Sequence, residues 1–462
     1  MPSLRLSELV QPLPARLVGK DVAFGSVSTD TRSLNPGDLY VALSGPRFDG
    51  HAFVSEAESK GAVAVLVSRE VETRLPQLVC ADTRLGLGRL AGFWRESVDA
   101  PLVAITGSNG KTTVKELLTA ILAQRGPVLA TRGNLNNDIG MPLTLLRWQE
   151  EYCAVLEMGA NHPGEIGYLS QIARPDVALI TNAGAAHLEG FGDLDGVAHA
   201  KGEILGGLRH DGVAVLNADD PYFALWREML GERRMVSFGV SPRALVQADL
   251  DAAEMTWTPQ GFHNRMQVQV QETRFEVQLA LVGRHNLMNA LAAIAAAWAL
   301  SCSVEQIQNG LVSTPAVRGR LQILAGRNGY RLIDDSYNAN PNSVGAAIEV
   351  LRSAPGRRYL VLGDLAELGD EARMLHEKIG HQARQAGIEH LFTLGPLSRT
   401  AAEGFGDGAR GFSDIDDLIA ALRGLPQPGD AVLVKGSRSA GMERVVQGLL
   451  AEGEADRAVV SD

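Results

Sequence analysis

The sequence predicts an α/β protein built from three domains. Its 462 residues exceed what one hydrophobic core usually organises, so about three domains are expected. From about residue 85 onward, short apolar runs alternate with amphipathic helical patterns, which is typical of mostly parallel sheets with crossover helices. We therefore expect a small mixed α/β domain at residues 1–84, a central domain at 85–314 and a Rossmann-like domain at 315–462.

Composition excludes several classes of protein. The chain is 45% hydrophobic and 21% charged, which is typical of a globular protein, and its net charge of −11 argues against general nucleic-acid binding. Cys80, Cys153 and Cys302 are far apart, so neither a disulfide framework nor a cysteine zinc site is expected. The first residues lack a signal-type apolar run, and the apolar helix predicted at 291–300 is too short to span a bilayer. We expect a cytoplasmic monomer without membrane insertion.

In the first domain, Ser28, Asp30 and Arg32 alternate along the chain, so on an extended segment they would share one face. One interpretation is the solvated face of a strand. The other is a polar ligand site in which Arg32 binds a phosphate group. Both interpretations stay open from spacing alone.

The central domain begins with residues 102–113, LVAITGSNGKTT. An apolar strand pattern ends in a turn with Gly107 and Gly110, and an amphipathic helical pattern starts directly after Lys111 and Thr112. Backbone N–H groups of such a turn and of the helix N-terminus face an anion. Lys111 would reach the terminal phosphates of a nucleotide, and Thr112 would bind Mg²⁺. The stretch therefore predicts a P-loop mononucleotide-binding domain.

The match to the standard P-loop is incomplete. That motif needs a glycine at position 105, where Ile105 stands. A Gly-x-x-Gly-Lys-Thr string alone can also be an ordinary strand-to-helix turn. The apolar strand before it and the amphipathic helix after it favour the phosphate-binding interpretation.

Polar residues follow other predicted strands of the central domain, where ligands bind in open α/β sheets. Glu157 ends the strand at 153–157, where it is placed to be a Mg²⁺ ligand beside Thr112, although a helix cap or a surface carboxylate is the alternative. His187 lies in a glycine-rich loop after the strand at 177–182, and a structural and a functional role stay equally open. Lys201 lies on a predicted helix, and its spacing alone is typical of a surface lysine.

The end of the central domain has a different pattern. Apolar and polar residues alternate over 266–270 and 275–281, which predicts an antiparallel hairpin with one solvated face. Residues 283–286 then open a long helix over 287–300. The central, mostly parallel sheet is therefore expected to carry an antiparallel addition.

Two loops of the third domain are candidate binding loops. Asp335, Tyr337 and Asn338 lie in a polar loop that follows the strand at 330–333. Lys435 and Arg438 flank a Gly-Ser pair after the strand at 431–434, and two cations at a strand end suit a carboxylate or a phosphate. A solvated loop is the alternative for the second pair.

Together these motifs resemble the Mur ligase family, the ATP-dependent amide ligases that build the peptide of peptidoglycan precursors. The family signature is similar to residues 106–113, which accounts for the missing glycine at 105. Glu157, the loop 182–187, Lys201, residues 283–289 and Arg320 occur in the family's order. The resemblance covers nearly the whole chain and all three expected domains.

Within the family, residues 133–144, 335–341 and 362–369 favour a ligase that joins D-alanyl-D-alanine to UDP-N-acetylmuramoyl-tripeptide. The sequence lacks the Asp-Asn-Pro-Arg motif of the diaminopimelate-adding ligase. Other members of the family, the related folylpolyglutamate synthetase and a nucleotide-dependent switch are the alternatives. The first domain argues against the folate enzyme, and a metal set of Glu157, His187 and Lys201 argues against a simple switch.

The resemblance implies a role for each candidate residue. The nucleotide ATP would be held by Gly107, Ser108, Asn109, Gly110, Lys111, Thr112, Thr113, Asn286, Asn289, Arg320 and Asp335. Two Mg²⁺ ions would be held by Thr112, Glu157, His187 and a carbamylated Lys201, with Lys111, His187 and Lys201 as catalytic residues. The UDP-linked tripeptide and the dipeptide would contact Ser28, Asp30, Arg32, Asn134, Asn136, Tyr337, Asn338, Lys435 and Arg438.

Overall fold

The computed structural model describes residues 4–46, 48–184, 188–258, 261–314 and 317–451. Three sheets, each covered by helices, follow one another along the chain, which confirms the predicted three-part α/β fold. No helix in these described ranges is long and apolar enough to cross a membrane.

The first part of the chain contains a five-stranded sheet and two small strand pairs. The strands are β1 (Leu4–Arg5), β2 (Arg16–Val18), β3 (Ala23–Phe24), β4 (Ser26–Ser28), β5 (Asp38–Val41), β6 (Ser44–Gly45), β7 (Phe48–Asp49), β8 (Ala64–Val67) and β9 (Gln77–Val79). The helices are α1 (Leu6–Leu9), α2 (Val54–Ser59) and α3 (Thr83–Glu96), with a 3₁₀ turn at Gly50–Phe53. The larger sheet has the order β2-β9-β8-β5-β4 and is parallel except for β2.

Residues 28–32 correct one prediction. Ser28 ends β4, and the chain then turns instead of staying extended. The Asp30 carboxylate accepts from the Arg32 backbone N–H at 2.9 Å, and the Ser28 hydroxyl accepts from the Asp30 N–H at 3.2 Å. Because these short polar side chains hydrogen-bond the local backbone, they favour a turn over a strand. Ser28, Asp30 and Arg32 therefore share a loop and not one strand face.

The central sheet has ten strands. They are β10 (Leu102–Thr106), β11 (Val128–Ala130), β12 (Cys153–Glu157), β13 (Val177–Ile180), β14 (Val213–Asn217), β15 (Arg234–Gly239), β16 (Val246–Ala248), β17 (Glu254–Thr258), β18 (Gly261–Val270) and β19 (Thr273–Leu279). The order β11-β12-β10-β13-β14-β15-β16 is parallel, and β18 then pairs antiparallel with β16, β17 and β19. The predicted antiparallel addition is confirmed.

Helices cover both faces of this sheet, which explains why its inner strands are apolar at nearly every position. They are α4 (Lys111–Leu122), α5 (Gly140–Leu145), α6 (Glu165–Ala173), α7 (Leu188–Phe191), α8 (Leu194–Gly202), α9 (Phe223–Leu230), α10 (Arg284–Ala299) and α11 (Val304–Ser313), with a 3₁₀ turn at Glu203–Gly207. Helices α10 and α11 pack against α4, the helix that follows the predicted P-loop.

The third sheet has the order β20-β21-β25-β22-β23-β24 and is parallel except for β20. Its strands are β20 (Gln322–Ala325), β21 (Arg331–Asp335), β22 (Arg358–Gly363), β23 (His390–Leu394), β24 (Ala409–Phe412) and β25 (Ala431–Lys435). Its helices are α12 (Pro341–Arg352), α13 (Ala372–Gln385), α14 (Ser398–Phe405), α15 (Ile415–Leu422) and α16 (Glu443–Leu449), with 3₁₀ turns at Gly369–Glu371 and Arg438–Ala440.

The antiparallel strands β17 and β18 reach from the central sheet into the third part of the chain. Together with Val282, Phe262 on β18 is buried in a hydrophobic core whose other members are third-part residues such as Ile333 and Leu360. Trp257 packs against Phe262 with ring centroids 4.2 Å apart and lies under the Arg331 guanidinium. These contacts join the second and third parts of the molecule.

Each predicted domain boundary lies near the point where the chain leaves one sheet and enters the next. The boundary between 84 and 85 falls in the first turn of α3, so that this helix links the first sheet to the central one. The boundary after 314 follows α11, and residues 315 and 316 lie outside the described residues. Both boundaries stay predictions.

Candidate functional site

A cavity of about 1370 Å³ lies where the three parts of the chain meet. Most of the predicted site residues line it: Ser108, Asn109, Gly110, Lys111, Thr112, Thr113, Asn134, Asn136, Glu157, Lys201, Asn286, Asn289, Arg320, Asp335, Tyr337, Asn338, Lys435 and Arg438. Ser28, Asp30 and Arg32 are not among its lining residues, and His187 lies outside the described residues. Residues from distant parts of the sequence thus converge on one space.

The glycine turn after β10 has no room for side chains. A Cβ atom on Gly107 would lie 1.9 Å from Thr181 Oγ1, and one on Gly110 would lie 2.2 Å from Asn289 Oδ1. Both glycines also have positive φ angles, +144° and +84°, which L-residues rarely adopt. The turn is held from the next strand end, because Asn182 accepts through its backbone oxygen from Ser108 N–H and through its side chain from Asn109 N–H, both at 3.0 Å.

Lys111 begins helix α4 directly after this turn. Its Nζ donates to the Gly107 carbonyl at 2.5 Å, so the ammonium stays beside the turn and the helix N-terminus. Burial lowers the pKa of Lys111 to about 8. A phosphate bound in the turn would favour the charged ammonium and so raise the pKa of Lys111 again. The geometry therefore suits an anion.

Glu157 and Thr112 form a site that fits a divalent cation. Thr112 Oγ1 donates to Glu157 Oε2 at 3.3 Å, and Arg320 Nη2 donates to Thr112 Oγ1 at 3.0 Å. Glu157 is only 2% exposed, which excludes a surface carboxylate, and its Oε1 has no hydrogen-bond partner among the described residues. Since a buried carboxylate oxygen without a partner is costly, this atom is suited to bind a cation.

No group of three or more His, Cys, Asp and Glu side chains that could hold a metal occurs among the residues the structure describes. Mg²⁺ does not need one, because it usually takes one or two carboxylates together with phosphate oxygens and waters. Glu157 and Thr112 next to the glycine turn match that pattern.

Lys201 is buried on helix α8 at 2% exposure, which excludes the alternative of a surface lysine. Its Nζ lies 5.3 Å from the centroid of the Phe191 ring. Burial, followed by the nearby Lys111 charge, lowers the pKa of Lys201 to about 7. Near neutral pH a large fraction of this amine is therefore uncharged and nucleophilic.

Helix α10 forms another wall. Asn286 Nδ2 donates to the Val282 carbonyl at 2.8 Å, and Asn289 Nδ2 donates to Asn286 Oδ1 at 3.0 Å. A second cavity of about 210 Å³ lies beside Asn289 and is lined in part by His285. Burial lowers the pKa of His285 to about 4, with a smaller effect from Lys435, so the imidazole is neutral. The prediction did not include His285, although it lies in the 283–286 segment.

The third part of the chain closes the cavity with the two predicted loops. Lys435 is buried and pairs with Asp335 at 2.6 Å, so the alternative of a solvated loop is wrong for Lys435. The guanidinium groups of Arg320 and Arg438 lie 4.6 Å and 5.5 Å from the centroid of the Tyr337 ring. The two loops thus present an ion pair and an aromatic ring that lies between Arg438 and Arg320, which precedes β20.

Two hydrogen bonds connect the third part of the chain to the glycine turn and to helix α4, which follows it. One is the bond from Arg320 to Thr112, and the other runs from Asn340 Nδ2 to Asn109 Oδ1 at 2.8 Å. A nucleotide held at Lys111 would therefore face residues of the central and third parts at once.

Another part of the cavity wall contains an ion pair that sequence reasoning did not predict. Arg84, at the start of α3, forms an ion pair with Asp138, which lies in the loop before α5. Both residues line the main cavity. Asp138 belongs to the motif 133–140 that favoured the family assignment, whereas no signal in the sequence singles out Arg84.

Models of known families match three segments of the chain. They are the Mur ligase family catalytic domain at residues 24–91, the Mur ligase middle domain at 105–297 and the Mur ligase glutamate ligase domain at 319–438. The UDP-N-acetylmuramoyl-tripeptide–D-alanyl-D-alanine ligase of Escherichia coli K12 is 46% identical over 98% of this chain and 100% of its own length. The chain belongs to the Mur ligase family.

Other members of this family agree along the full length. The Bacillus subtilis 168 ligase of the same name is 34% identical over 96% of this chain and 97% of its own. The crystal structure of MurF from Acinetobacter baumannii aligns with a TM-score of 0.90 at 37% identity, covering 96% and 99% of the two chains. MurF ligase from Thermotoga maritima in complex with ADP aligns with a TM-score of 0.83 at 29% identity, covering 94% and 98%.

Proposed function

We propose that this chain is an ATP-dependent ligase that joins D-alanyl-D-alanine to UDP-N-acetylmuramoyl-tripeptide. The products are UDP-N-acetylmuramoyl-pentapeptide, ADP and phosphate, in the synthesis of peptidoglycan precursors. Full-length similarity to ligases of this name supports the assignment. The observation that carries it is the single cavity in which the glycine turn, buried Glu157, buried Lys201 and the third-part loops face one another.

A carboxylate does not react with an amine at neutral pH, because its oxygen is a poor leaving group. Transfer of the γ-phosphoryl group of ATP to a carboxylate oxygen of the tripeptide gives an acyl phosphate and ADP. The dipeptide amine then attacks the acyl carbon and loses a proton. The tetrahedral intermediate collapses as the carbon–oxygen bond to phosphate breaks, which forms the amide.

Positioning and charge neutralisation are what the phosphoryl step needs from the protein. The backbone N–H groups of the glycine turn and Lys111 would hold the phosphates, and Arg320 would approach them from the third part. Asn286 and Asn289 would contact the adenine side, and Asp335 would orient Lys435. Bound to Glu157 and Thr112, Mg²⁺ would supply charge neutralisation of the phosphate oxygens.

Lys201 is proposed to act as a carbamate. The uncharged amine, which the lowered pKa of Lys201 supplies near neutral pH, would form a bond to the carbon of CO₂ and release one proton to solvent. The product is an anionic, carboxylate-like group that would hold a second Mg²⁺ together with His187. Both of these roles stay proposals.

The remaining substrate contacts are proposed from position. Arg32 has 86% of its side chain exposed and pairs with Asp30 at 2.6 Å, so it is open to the phosphates of the UDP group. Asn134 and Asn136 line the cavity near Glu157, where the tripeptide would end, while Tyr337, Asn338, Lys435 and Arg438 would receive the dipeptide. We further propose a cytoplasmic monomer.

Phosphate release is the test. We expect release with ATP and Mg²⁺ only when UDP-N-acetylmuramoyl-tripeptide and D-alanyl-D-alanine are both present. Replacing the dipeptide by diaminopimelate should give none. Release that needs neither peptide would indicate a nucleotide-dependent switch, and release with diaminopimelate would indicate another ligase of the family.

Lys111→Ala should abolish this phosphate release, because the turn loses the ammonium beside the phosphates. Lys378→Ala removes an exposed lysine of α13 and should keep normal turnover. Normal turnover in Lys111→Ala would contradict the role of the glycine turn in catalysis.

A further inference from the structure

One part of the cavity wall is formed by the start of α3 and the loop 134–138. Two contacts fix the start of α3: Thr83 Oγ1 donates to the Ala42 carbonyl at 2.8 Å, and the Asp82 carboxylate accepts from the Arg84 N–H at 2.8 Å. The loop is fixed as well, since Asn137 Oδ1 accepts from Gly140 N–H at 2.8 Å. Arg84 and Asp138 face each other on a rigid wall.

The ion pair between these residues is only partly shielded from the cavity. The Arg84 side chain is 56% exposed and the Asp138 side chain 21%, and the pair joins Arg84 Nε to the carboxylate. A guanidinium has five N–H donors in a planar fork, more than a single carboxylate can engage. Arg84 can therefore bind a second anion while Asp138 holds its position.

Charge on this wall is unevenly distributed. Asp82, Asp138 and Glu165 contribute carboxylates, and Glu165 already accepts from the Asn161 N–H at 2.7 Å. Among the described residues that line the cavity, Arg84 is the only lysine or arginine that precedes the glycine turn. An anion that binds beside the start of α3 can therefore pair with Arg84.

The proposed substrate carries such an anion. The related ligase from Acinetobacter baumannii is named for a UDP-N-acetylmuramoylalanyl-D-glutamyl-2,6-diaminopimelate substrate. A glutamyl residue inside a peptide has one carboxyl group in the bond to the next residue and the other one free. One carboxylate therefore lies between the UDP group and the carboxylate that reacts.

We propose that Arg84 binds the free glutamyl carboxylate of the UDP-linked tripeptide and is a specificity-determining residue of this ligase. This inference rests on the proposed function. Lys111, Lys201 and Arg320 are assigned to the phosphoryl-transfer site, and Arg438 lies over Tyr337 where the dipeptide is proposed to bind. Lys435 is buried in its pair with Asp335, whereas the paired Arg84 side chain is 56% exposed and so can still bind the glutamyl group. Arg84 lies in the first turn of α3, where the first and central parts join, and it lines the same cavity as the P-loop.

The experiment compares two substrates in three proteins. One substrate is the UDP-linked tripeptide with the free glutamyl carboxylate, and the other has that group as a carboxamide. For the unchanged protein we expect kcat/KM for phosphate release to favour the acid by about 10- to 100-fold, the range of a charge-assisted hydrogen-bonded pair. In Arg84→Gln this preference should fall to about 3-fold or less.

Arg89→Gln is the matched control, because Arg89 is exposed on the same helix and does not line the cavity. It should keep the full preference for the acid. If Arg84 only braces α3 against the loop, Arg84→Gln will lose activity equally with both substrates and keep the original ratio, which would overturn the inference.

Two further measurements keep the result interpretable. Thermal unfolding with and without ADP shows whether the Arg84→Gln protein is folded. If it is not folded, Arg84→Lys takes its place, because lysine keeps the positive charge but lacks the planar fork of N–H donors. Arg84→Lys should show an intermediate preference, and an unchanged ratio would overturn the inference. Absence of phosphate release by the unchanged protein with either tripeptide would instead refute the proposed function.

Discussion

At the scale of single residues, burial sets the chemistry of Lys201. A surface lysine is charged at neutral pH, whereas burial here lowers the pKa to about 7. The side chain lies in the same cavity as Lys111 and Glu157. An amine of this kind is suited to become a carbamate and then an anionic ligand.

Lys201→Ala should be nearly inactive in phosphate release, because the carbamate is lost. Short-chain carboxylic acids should partly restore activity by placing a carboxylate in the vacated space. The unchanged protein is the control and should not respond to these acids. Wild-type activity in Lys201→Ala would remove Lys201 from the proposed metal site.

His285 makes a pH-dependent contribution to stability. Its pKa is about 4 in the folded chain and about 6.5 when unfolded, so between these values the unfolded state binds the extra proton. Stability therefore falls as pH decreases from about 6.5 to 4. Relative to His285→Gln, the unchanged protein should lose up to about 3 kcal/mol of unfolding free energy over this range. Urea unfolding at both pH values measures it, and an equal pH dependence of the two proteins would contradict it.

At the scale of elements, sequence patterns predicted the strands well but did not predict ion pairs between distant segments. The apolar runs of β10, β12, β13 and β14 are strong local signals because both faces of these strands are buried. The pairing of Arg84 with Asp138 leaves no such signal, since charged residues at helix starts and in loops are common. The interpretation of residues 28–32 as a strand face was wrong, because the spacing does not show that the Asp30 carboxylate accepts from the local backbone.

The same limit applies to the site. Glu157 and Thr112 could be predicted together, because both follow strands whose carboxyl ends share one sheet edge. The approach of Arg320 to Thr112 depends on how the third sheet sits against the central one. Spacing along the chain carries no information about that placement, and only the family resemblance pointed to Arg320.

The packing of α11 against α4 depends on a glycine. A Cβ atom on Gly310 would lie 2.3 Å from Ile121 Cα, which is backbone and cannot move independently of the helix. Gly310→Ala should destabilise the protein by about 1–3 kcal/mol through overpacking, although alanine favours helix by about 1 kcal/mol. Gly206→Ala is the control, because nothing lies within 4 Å of its Cβ position. Chemical unfolding checks both, and a Gly310→Ala protein as stable as wild type would show that α11 can shift.

At the scale of the whole molecule, the site is shared between parts of the chain that are far apart in sequence. In the third part, Asn340 contacts the glycine turn and Arg320 contacts helix α4, which follows that turn. The first part contributes the start of α3 to the cavity wall. Water must be kept from an acyl phosphate, and a cavity closed from several sides suits that need.

Arg320→Ala should raise KM for ATP by about 10-fold, the effect of losing one charge-assisted hydrogen bond. Initial rates of phosphate release at varied ATP measure it. Arg352→Ala, which removes an exposed arginine of α12 paired with Glu349, should leave this KM unchanged. An unchanged KM in Arg320→Ala would place the nucleotide away from the third part.

The insertion of Phe262 into the third core also matters while the chain is being made. β18 is synthesised well before the third-part strands that bury Phe262. The last of these strands, β25, ends at Lys435. At roughly 5–20 residues per second, Phe262 and Trp257 wait on the order of ten seconds for their binding partners. During that interval the aromatic pair at the tip of the antiparallel ribbon is exposed and can bind holdase chaperones. The protein is therefore more prone to aggregate as a nascent chain than as the folded enzyme.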